Sequence, residues 1–127
     1  MPIEHNVDLD SGILFVRRWG SIDTQDEEEA LRKRVEDPLV TEGIPVLVDC
    51  REVSPPDSVK VVKYLAHNAT NLAKNLKCGP VAIVVGTEAE YGMARMYASL
   101  TDLVHDETKV FRDYGEALQW LIVQSGT

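Results

Sequence analysis

The chain has 127 residues, of which 44% are hydrophobic and 27% charged, and 21 acidic against 13 basic side chains give a formal net charge of -8. This length and composition predict a single globular domain over residues 1–127 and exclude a disordered or fibrous protein. The acidic balance repels phosphate backbones and anionic membrane surfaces, so nucleic acid is not an expected partner.

Two features of the sequence bear on location. The start, MPIEHNVDLDSG, lacks the basic and apolar regions of a secretory signal, and the longest uncharged apolar segment, residues 80–87, is too short to span a bilayer. Cys50 and Cys78 are the two cysteines, and without CxxC spacing we expect reduced, largely buried thiols. A cytoplasmic location and no membrane span are therefore expected.

An antiparallel hairpin is predicted at the start of the chain. Ile3, Val7 and Leu9 precede Asp10-Ser11-Gly12, and the apolar run 13–16 follows it. Two apolar runs separated by a short segment that contains glycine are typical of two strands joined by a tight turn.

A charged helix is predicted next. Asp23 or Thr24 can serve as its N-cap, acidic residues precede basic ones in the order that complements the helix dipole, and Pro38 ends it. We expect Leu31 and Val35 to face inward. The charged run is then interpreted as a solvated helix face rather than a binding patch.

The middle of the chain predicts a buried strand and a long helix. Residues 44–48 are apolar and β-branched without a polar interruption, which indicates a strand covered on both faces that ends at Asp49. From Ser58 to Lys77, apolar residues recur at steps of three and four, which predicts an amphipathic helix of about five turns. Gly79-Pro80 ends that helix.

The last third predicts two strands and two helices. Val81–Val85 repeats the pattern of a buried strand, and Gly86-Thr87 supplies a turn and a cap for a helix. Along that helix Met93, Met96, Tyr97 and Leu100 lie on one side. Thr108–Phe111 is a short strand, and Asp113 and Glu116 stand at capping-box spacing before a closing helix.

The predicted element order is ββαβαβαβα. Each strand-helix-strand connection is long enough for a right-handed parallel crossover, so we expect an α/β fold with a mixed, mostly parallel sheet covered by helices. The hairpin contributes an antiparallel edge. The carboxyl ends of the parallel strands form the expected binding edge of such a sheet, and we call this edge the rim.

This order of elements resembles a known domain. A strand ending in Asp49, an eight-residue step to Asp57-Ser58 and a helix directly after it are similar to the STAS domain of bacterial anti-sigma-factor antagonists. The C-terminal stretch VFRDYGEALQWL resembles the SpoIIAA-like bacterial proteins, which are related to CRAL-TRIO lipid-binding domains. The resemblance implies a SpoIIAA-like fold, and it implies that a serine at the position of Ser58 is phosphorylated by a partner kinase.

Ser58 has two interpretations. A phosphate at a helix N-terminus meets free backbone N–H groups and the positive end of the dipole, with Lys60 nearby, so Ser58 is a phosphoacceptor candidate. Against this, Asp57 beside it repels that charge. The alternative is that Asp57 or Ser58 caps the predicted helix.

The other candidate binding residues lie at the predicted rim. Asp49, near Arg51, has two interpretations. It is either a structural residue that forms an ion pair or caps the loop, or a residue with a chemical role. Thr87 begins a predicted helix on which Tyr91, Arg95 and Tyr97 either bind an anionic or apolar ligand or belong to the core or an interface. These residues, with Asp57 and Lys60, form the predicted surface for a partner or ligand.

No motif for catalysis or for a cofactor is found. The three histidines are isolated in sequence, so no metal site with local spacing is predicted, and GxSxG, P-loop and GxGxxG patterns are absent. We therefore expect no catalytic residue, no metal and no cofactor. An enzyme is the least favoured class of function.

The sequence favours a non-enzymatic, regulatory STAS-like module that binds a protein partner around Asp57-Ser58. The alternative is a carrier or sensor of a small apolar or lipid-like ligand, which needs an apolar cavity of about 300 Å³ or more. A homodimer through the edge of the N-terminal hairpin is also predicted.

Overall fold

The computed structural model describes residues 2–53, 67, 79–101 and 107–125 of the chain. Five strands form a sheet in the order β1-β2-β3-β4-β5. The strands are β1 (Ile3–Asp8), β2 (Ile13–Gly20), β3 (Val46–Val53), β4 (Val81–Val84) and β5 (Thr108–Phe111), and the helices of the described ranges are α1 (Thr24–Glu36), α2 (Glu88–Thr101) and α3 (Tyr114–Gln124).

The sheet is mixed, as the sequence predicts. β1 and β2 are antiparallel, whereas β2, β3, β4 and β5 run parallel to one another. Gly12 closes the hairpin with φ of 70°, and its N–H donates to the carbonyl oxygen of Asp8 at 2.8 Å. Glycine adopts this left-handed backbone without steric cost, which explains its place in the turn.

Two apolar layers cover the two faces of the sheet. Because side chains alternate along a strand, Leu14 and Val16 point to one face and Ile13 and Phe15 to the other. The first face packs against α1 and α2 through Ala30 and Ala98, among others. The second packs against α3, whose buried residues are Ala117 and Leu121.

Helix α3 leaves part of its face of the sheet open. It lies over β3, β4 and β5, the strands with which it makes its principal contacts. The hairpin β1–β2 extends beyond it, so Asn6 and Arg17 are exposed on this side. This uncovered part of the sheet is where the candidate site described below lies.

The helix caps confirm two predictions made from local sequence. Asp23 caps α1 and forms a capping box with Asp26, each side chain accepting from the backbone N–H of the other. Asp113 caps α3 by accepting from the N–H of Glu116 at 3.0 Å.

The predicted orientation of α1 is partly wrong. Val35 is 42% exposed and Leu31 is only half-buried, whereas Ala30 and Glu27 are buried. The charged run is therefore not wholly solvated. Glu27 turns inward because Arg18 of β2 supplies a buried partner for its charge.

Strand β3 is longer than predicted, since it continues past Asp49 to Val53. The helix predicted over residues 58–77 lies outside the described residues except for His67, which is helical and exposed. Cys78, Asp57, Ser58 and Lys60 also lie outside the described residues.

Candidate functional site

Strand β3 contains a bulge where the sequence predicts that the strand ends. Arg17 pairs with Asp49 and Trp19 pairs with Glu52, so two steps along β2 match three steps along β3. The extra residue in β3 redirects the side chains that follow it. The carboxylate of Asp49 accepts the backbone N–H of Arg51 at 3.1 Å, which satisfies a donor within the bulge.

Asp49 and Arg51 also form a two-pronged ion pair. The Nε and Nη2 of Arg51 donate to the two carboxylate oxygens of Asp49 at 2.9 and 2.8 Å. The side-chain hydrogen bond from Arg51 is the largest cause that holds the pKa of Asp49 below its ordinary value of 3.8. The structure thus brings together two predicted site residues, and it holds Asp49 in its ionised form.

Tyr114, the first residue of α3, lies against this pair. The guanidinium carbon of Arg51 is 4.9 Å from the centre of the Tyr114 ring, within the range of a cation–π contact. Desolvation is the main cause of a raised pKa for the Tyr114 hydroxyl, and the charge of Asp49 adds to it. Tyr114 therefore carries a neutral hydroxyl beside the ion pair.

An open cleft of about 450 Å³ lies between the hairpin and the start of α3. We call it the α3 cleft. Its apolar and aromatic lining comes from Phe15, Leu47 and Tyr114, and Asp49 lies within it. The full lining consists of Glu4, His5, Asn6, Phe15, Val16, Arg17, Leu47, Asp49 and Tyr114.

The charges of the α3 cleft have partners within the chain. Arg17 lies 3.4 Å from a carboxylate oxygen of Glu52 and 3.9 Å from one of Glu4. Its guanidinium carbon is 4.8 Å from the centre of the Trp19 ring. The bulge brings Glu52 close to Arg17 and Trp19, because it places Glu52 opposite Trp19 in the strand pairing.

A close backbone contact joins the bulge to the end of β4. A Cβ added to Gly86 would lie 2.9 Å from the carbonyl oxygen of Arg51. The N–H of Gly86 donates to Oε2 of Glu90 at 3.1 Å, and the N–H of Glu90 donates to Oγ1 of Thr87 at 3.3 Å. Thr87 therefore belongs to the cap of α2, in the S/T-x-x-E arrangement typical of helix starts.

Helix α2 carries a second aromatic and basic group. Tyr91 packs partly against the core, and the guanidinium carbons of Arg95 and Arg112 lie 5.9 and 5.6 Å from the centre of its ring. Glu88 forms an ion pair with Arg112. Of the two predicted interpretations, core packing describes Tyr91, whereas Arg95 is exposed.

Cys50 lies in the bulge and packs against the core on the side of α1 and α2. Burial raises the pKa of its thiol to about 11, and the positive charge of Arg18 lowers it in part. Arg18 itself is bound to buried Glu27, with Nη1 donating to Oε2 at 3.2 Å. A thiol in this environment is a poor nucleophile at neutral pH.

Several residues of these groups are not predicted from the sequence. They come from elements that are far apart in the sequence. In the α3 cleft they are Phe15, Arg17 and Tyr114, and beside Tyr91 the residue is Arg112. The position of Arg112 directly after β5 places it at the rim, and this position could have indicated a site residue from the sequence. The candidates Ser58, Asp57 and Lys60 stay predictions, because they lie outside the described residues.

Among residues 2–53, 67, 79–101 and 107–125, no cluster of three or more His, Cys, Asp or Glu residues could hold a metal ion. In the same part of the chain, none of the helices has the length and apolar character required to cross a bilayer.

Comparisons with known proteins identify the fold. No protein family matches the chain, and no curated protein does. Among solved structures it is similar to an uncharacterized protein from the DUF3478 family with a SpoIIAA-like fold from Shewanella loihica PV-4. The two share 24% sequence identity and a TM-score of 0.62 over 94% of this chain and 91% of that one. The chain is thus an α/β protein with the SpoIIAA-like, or STAS-like, fold that the sequence predicts.

Proposed function

We propose that this chain is a non-enzymatic STAS-like binding module that acts through contact with a protein partner at the α3 cleft. The observation that carries the proposal is the combination of an open apolar floor and charges that already have partners. A partner side chain can bury the partly exposed Phe15 and Tyr114 without leaving Asp49 or Arg17 unpaired, because each keeps its own counter-ion. Apolar contact gains free energy, whereas a stranded charge costs it.

The chemical state of the rim residues supports binding rather than catalysis. The pKa of Asp49 is lowered by Arg51, so this carboxylate is a weak base at neutral pH. The pKa of the Cys50 thiol is about 11, so thiolate is scarce there. Fixed charges suit a surface that recognises a partner by shape and by hydrogen bonds.

The test uses one substitution in the cleft and a matched one outside it. Asn6 is exposed and lines the α3 cleft, and Gln25 is exposed on α1. Asn6→Arg places a long charged side chain in the cleft, and Gln25→Arg makes the same chemical change elsewhere. We expect in-cell crosslinking followed by mass spectrometry to find one partner joined to the wild type and to Gln25→Arg but not to Asn6→Arg. Equal crosslinking of all three would refute the role of the cleft.

A phosphorylation switch at Ser58 is the regulatory part of the proposal. It rests on the resemblance of Asp57-Ser58 to the STAS domains of anti-sigma-factor antagonists. The added charge would weaken partner binding, so Ser58→Glu should dissociate the partner and Ser58→Ala should retain it. Intact-mass measurement of the protein from its native cells tests the modification directly. A chain that is uniformly unmodified, also after incubation with a co-encoded kinase, would remove the switch and leave the binding module intact.

A second candidate function is a carrier or sensor of a small apolar or lipid-like ligand. One observation favours it, because the α3 cleft exceeds the volume of about 300 Å³ that a small-molecule site needs. Native mass spectrometry separates the two functions. A bound lipid that Asn6→Arg displaces would support the carrier, and a ligand-free protein that still binds its partner would support the protein-binding module.

Two further expectations accompany the proposal. We propose a homodimer through β1, which is an edge strand of the sheet. Sedimentation should then give twice the mass of one chain at micromolar concentration, and a single-chain mass would contradict it. The cytoplasmic location is a prediction that cell fractionation can check.

A further inference from the structure

Tyr91 holds two guanidinium groups near one ring. The ring packs partly against the core, so its position is determined by neighbouring elements. Arg95 approaches it from one turn further along α2, and Arg112 from just after the end of β5, at 5.9 and 5.6 Å. Contacts within about 6 Å of an aromatic centre attract a cation, so both side chains are partly ordered before any ligand arrives.

These two arginines differ from Arg51, which also stacks on a ring, in their counter-charges. Arg51 is held by both oxygens of Asp49, whose side chain is only 18% exposed. In the described part of the chain, Arg95 has no carboxylate partner. Arg112 has Glu88, whose side chain is 78% exposed. An exposed ion pair of this kind contributes about 0–1 kcal/mol, so a ligand can displace it.

We infer that Arg95 and Arg112 form a binding site for a phosphate monoester, with Tyr91 as the platform and Glu88 as an internal competitor for Arg112. Each guanidinium offers paired N–H donors that match two oxygens of a phosphate. In the proposed site a dianion engages both cations, whereas Glu88 pairs with Arg112 alone. The site lies on the α2 side of the rim and does not include residues of the α3 cleft, so it stands apart from the proposed function.

The net charge of the protein limits the affinity without abolishing it. The chain carries a formal charge of -8, which repels an approaching anion. At physiological ionic strength this repulsion is screened beyond about 8 Å, whereas the two guanidiniums act in direct contact. We therefore expect weak to moderate binding that decreases as salt rises.

The test follows the Nε–Hε signals of the arginines by NMR during titration with inorganic phosphate at constant ionic strength. We expect saturable shifts of the Arg95 and Arg112 signals. Arg112→Gln should weaken binding about tenfold, because a charge-assisted hydrogen-bonded pair is lost. Glu88→Gln should instead strengthen it by about two- to threefold, because the competitor is removed.

Arg32→Gln is the matched control, since Arg32 is exposed on α1 and pairs only loosely with Glu29, at 3.9 Å. It should bind phosphate as the wild type does. Absence of saturable shifts in both the wild type and Glu88→Gln would overturn the site, as would equal weakening by Arg32→Gln. Asn6→Arg should leave phosphate binding unchanged, which separates this test from that of the α3 cleft.

Vesicles distinguish the two sources of such a phosphate. Co-sedimentation with phosphatidic acid in phosphatidylcholine, lost in Arg112→Gln and absent with phosphatidylcholine alone, would indicate a lipid headgroup. Saturable binding of inorganic phosphate without co-sedimentation would indicate a soluble phosphate monoester. Given saturable phosphate binding, either vesicle result supports the site; absence of that phosphate binding overturns it.

Discussion

Arg51 binds both carboxylate oxygens of Asp49 across the bulge of β3, and its backbone N–H donates to the same carboxylate. The pair therefore shapes the backbone as well as neutralising charge. It also fixes the side of the α3 cleft nearest to Tyr114. The pair thus stabilises the part of the rim that lies beside Tyr114.

Removing this carboxylate should destabilise the protein in a pH-dependent way. Since the folded pKa of Asp49 is depressed, its stabilisation is present above the ordinary value of 3.8 and is lost as pH falls through the folded value. Because the pair is partly exposed, we expect Asp49→Asn to lower the free energy of unfolding by about 1 kcal/mol at neutral pH. Urea titration should show this difference shrinking in acid. Asp10→Asn in the hairpin turn is the control and should stay near the wild type.

The buried ion pair between Arg18 and Glu27 joins β2 to α1, with side chains 15% and 8% exposed. Either single change, Arg18→Met or Glu27→Leu, leaves one buried charge unpaired and should cost roughly 3–5 kcal/mol. The double variant should recover most of that loss, because it leaves no charge behind. Chemical denaturation of the four proteins gives the coupling energy. Additive losses would contradict a direct interaction.

Two glycines offer a matched comparison of alanine substitution. At Gly86 a Cβ meets the carbonyl oxygen of Arg51 at 2.9 Å, and backbone on both sides must move. Gly86→Ala should therefore cost about 1–3 kcal/mol. Gly92 lies within α2 with open space around it. Gly92→Ala should stabilise the protein by about 0.5–1 kcal/mol, because alanine favours a helix. The midpoint of thermal unfolding should fall for Gly86→Ala and rise for Gly92→Ala. A shift of both midpoints in the same direction would refute the close contact at Gly86.

The partly buried thiol of Cys50 predicts slow modification and a loss of stability at alkaline pH. Its pKa rises from 9.0 to about 11 on folding. The folded protein therefore holds the proton more tightly, and stability falls as pH rises through that window, by an amount on the order of 2 kcal/mol. In a Cys78→Ser background, alkylation at neutral pH should be much slower for the folded protein than for the urea-unfolded chain. Replacing Cys50 with Ala should remove the part of the alkaline loss that this thiol causes.

The sequence interpretation succeeded where the signal is local. Buried strands show continuous β-branched runs, and the hairpin shows glycine between two apolar segments. Asp23 and Asp113 cap helices with groups three residues away in the chain. The fold class follows from these local signals together with the right-handedness of crossovers.

The inward face of α1 was mispredicted because a hydrophobic pattern alone does not anticipate a charged residue with a buried partner. Glu27 is buried since Arg18, nine positions earlier, faces it from the sheet. Val35, apolar but near the end of the helix, has no layer over it and is exposed. Neither outcome is a property of the helix alone.

In the described part of the chain, the sequence by itself determined the strands, the hairpin turn and the caps of α1 and α3, because each depends on residues within a few positions of one another. The mixed sheet follows from the handedness of the crossovers. Only the tertiary structure decided the bulge at Asp49, the open side of the hairpin, and the grouping of Arg95 and Arg112 around Tyr91. Those features depend on strand register and on where α2 and α3 lie against the sheet. Both are determined by packing between segments that are distant in the chain.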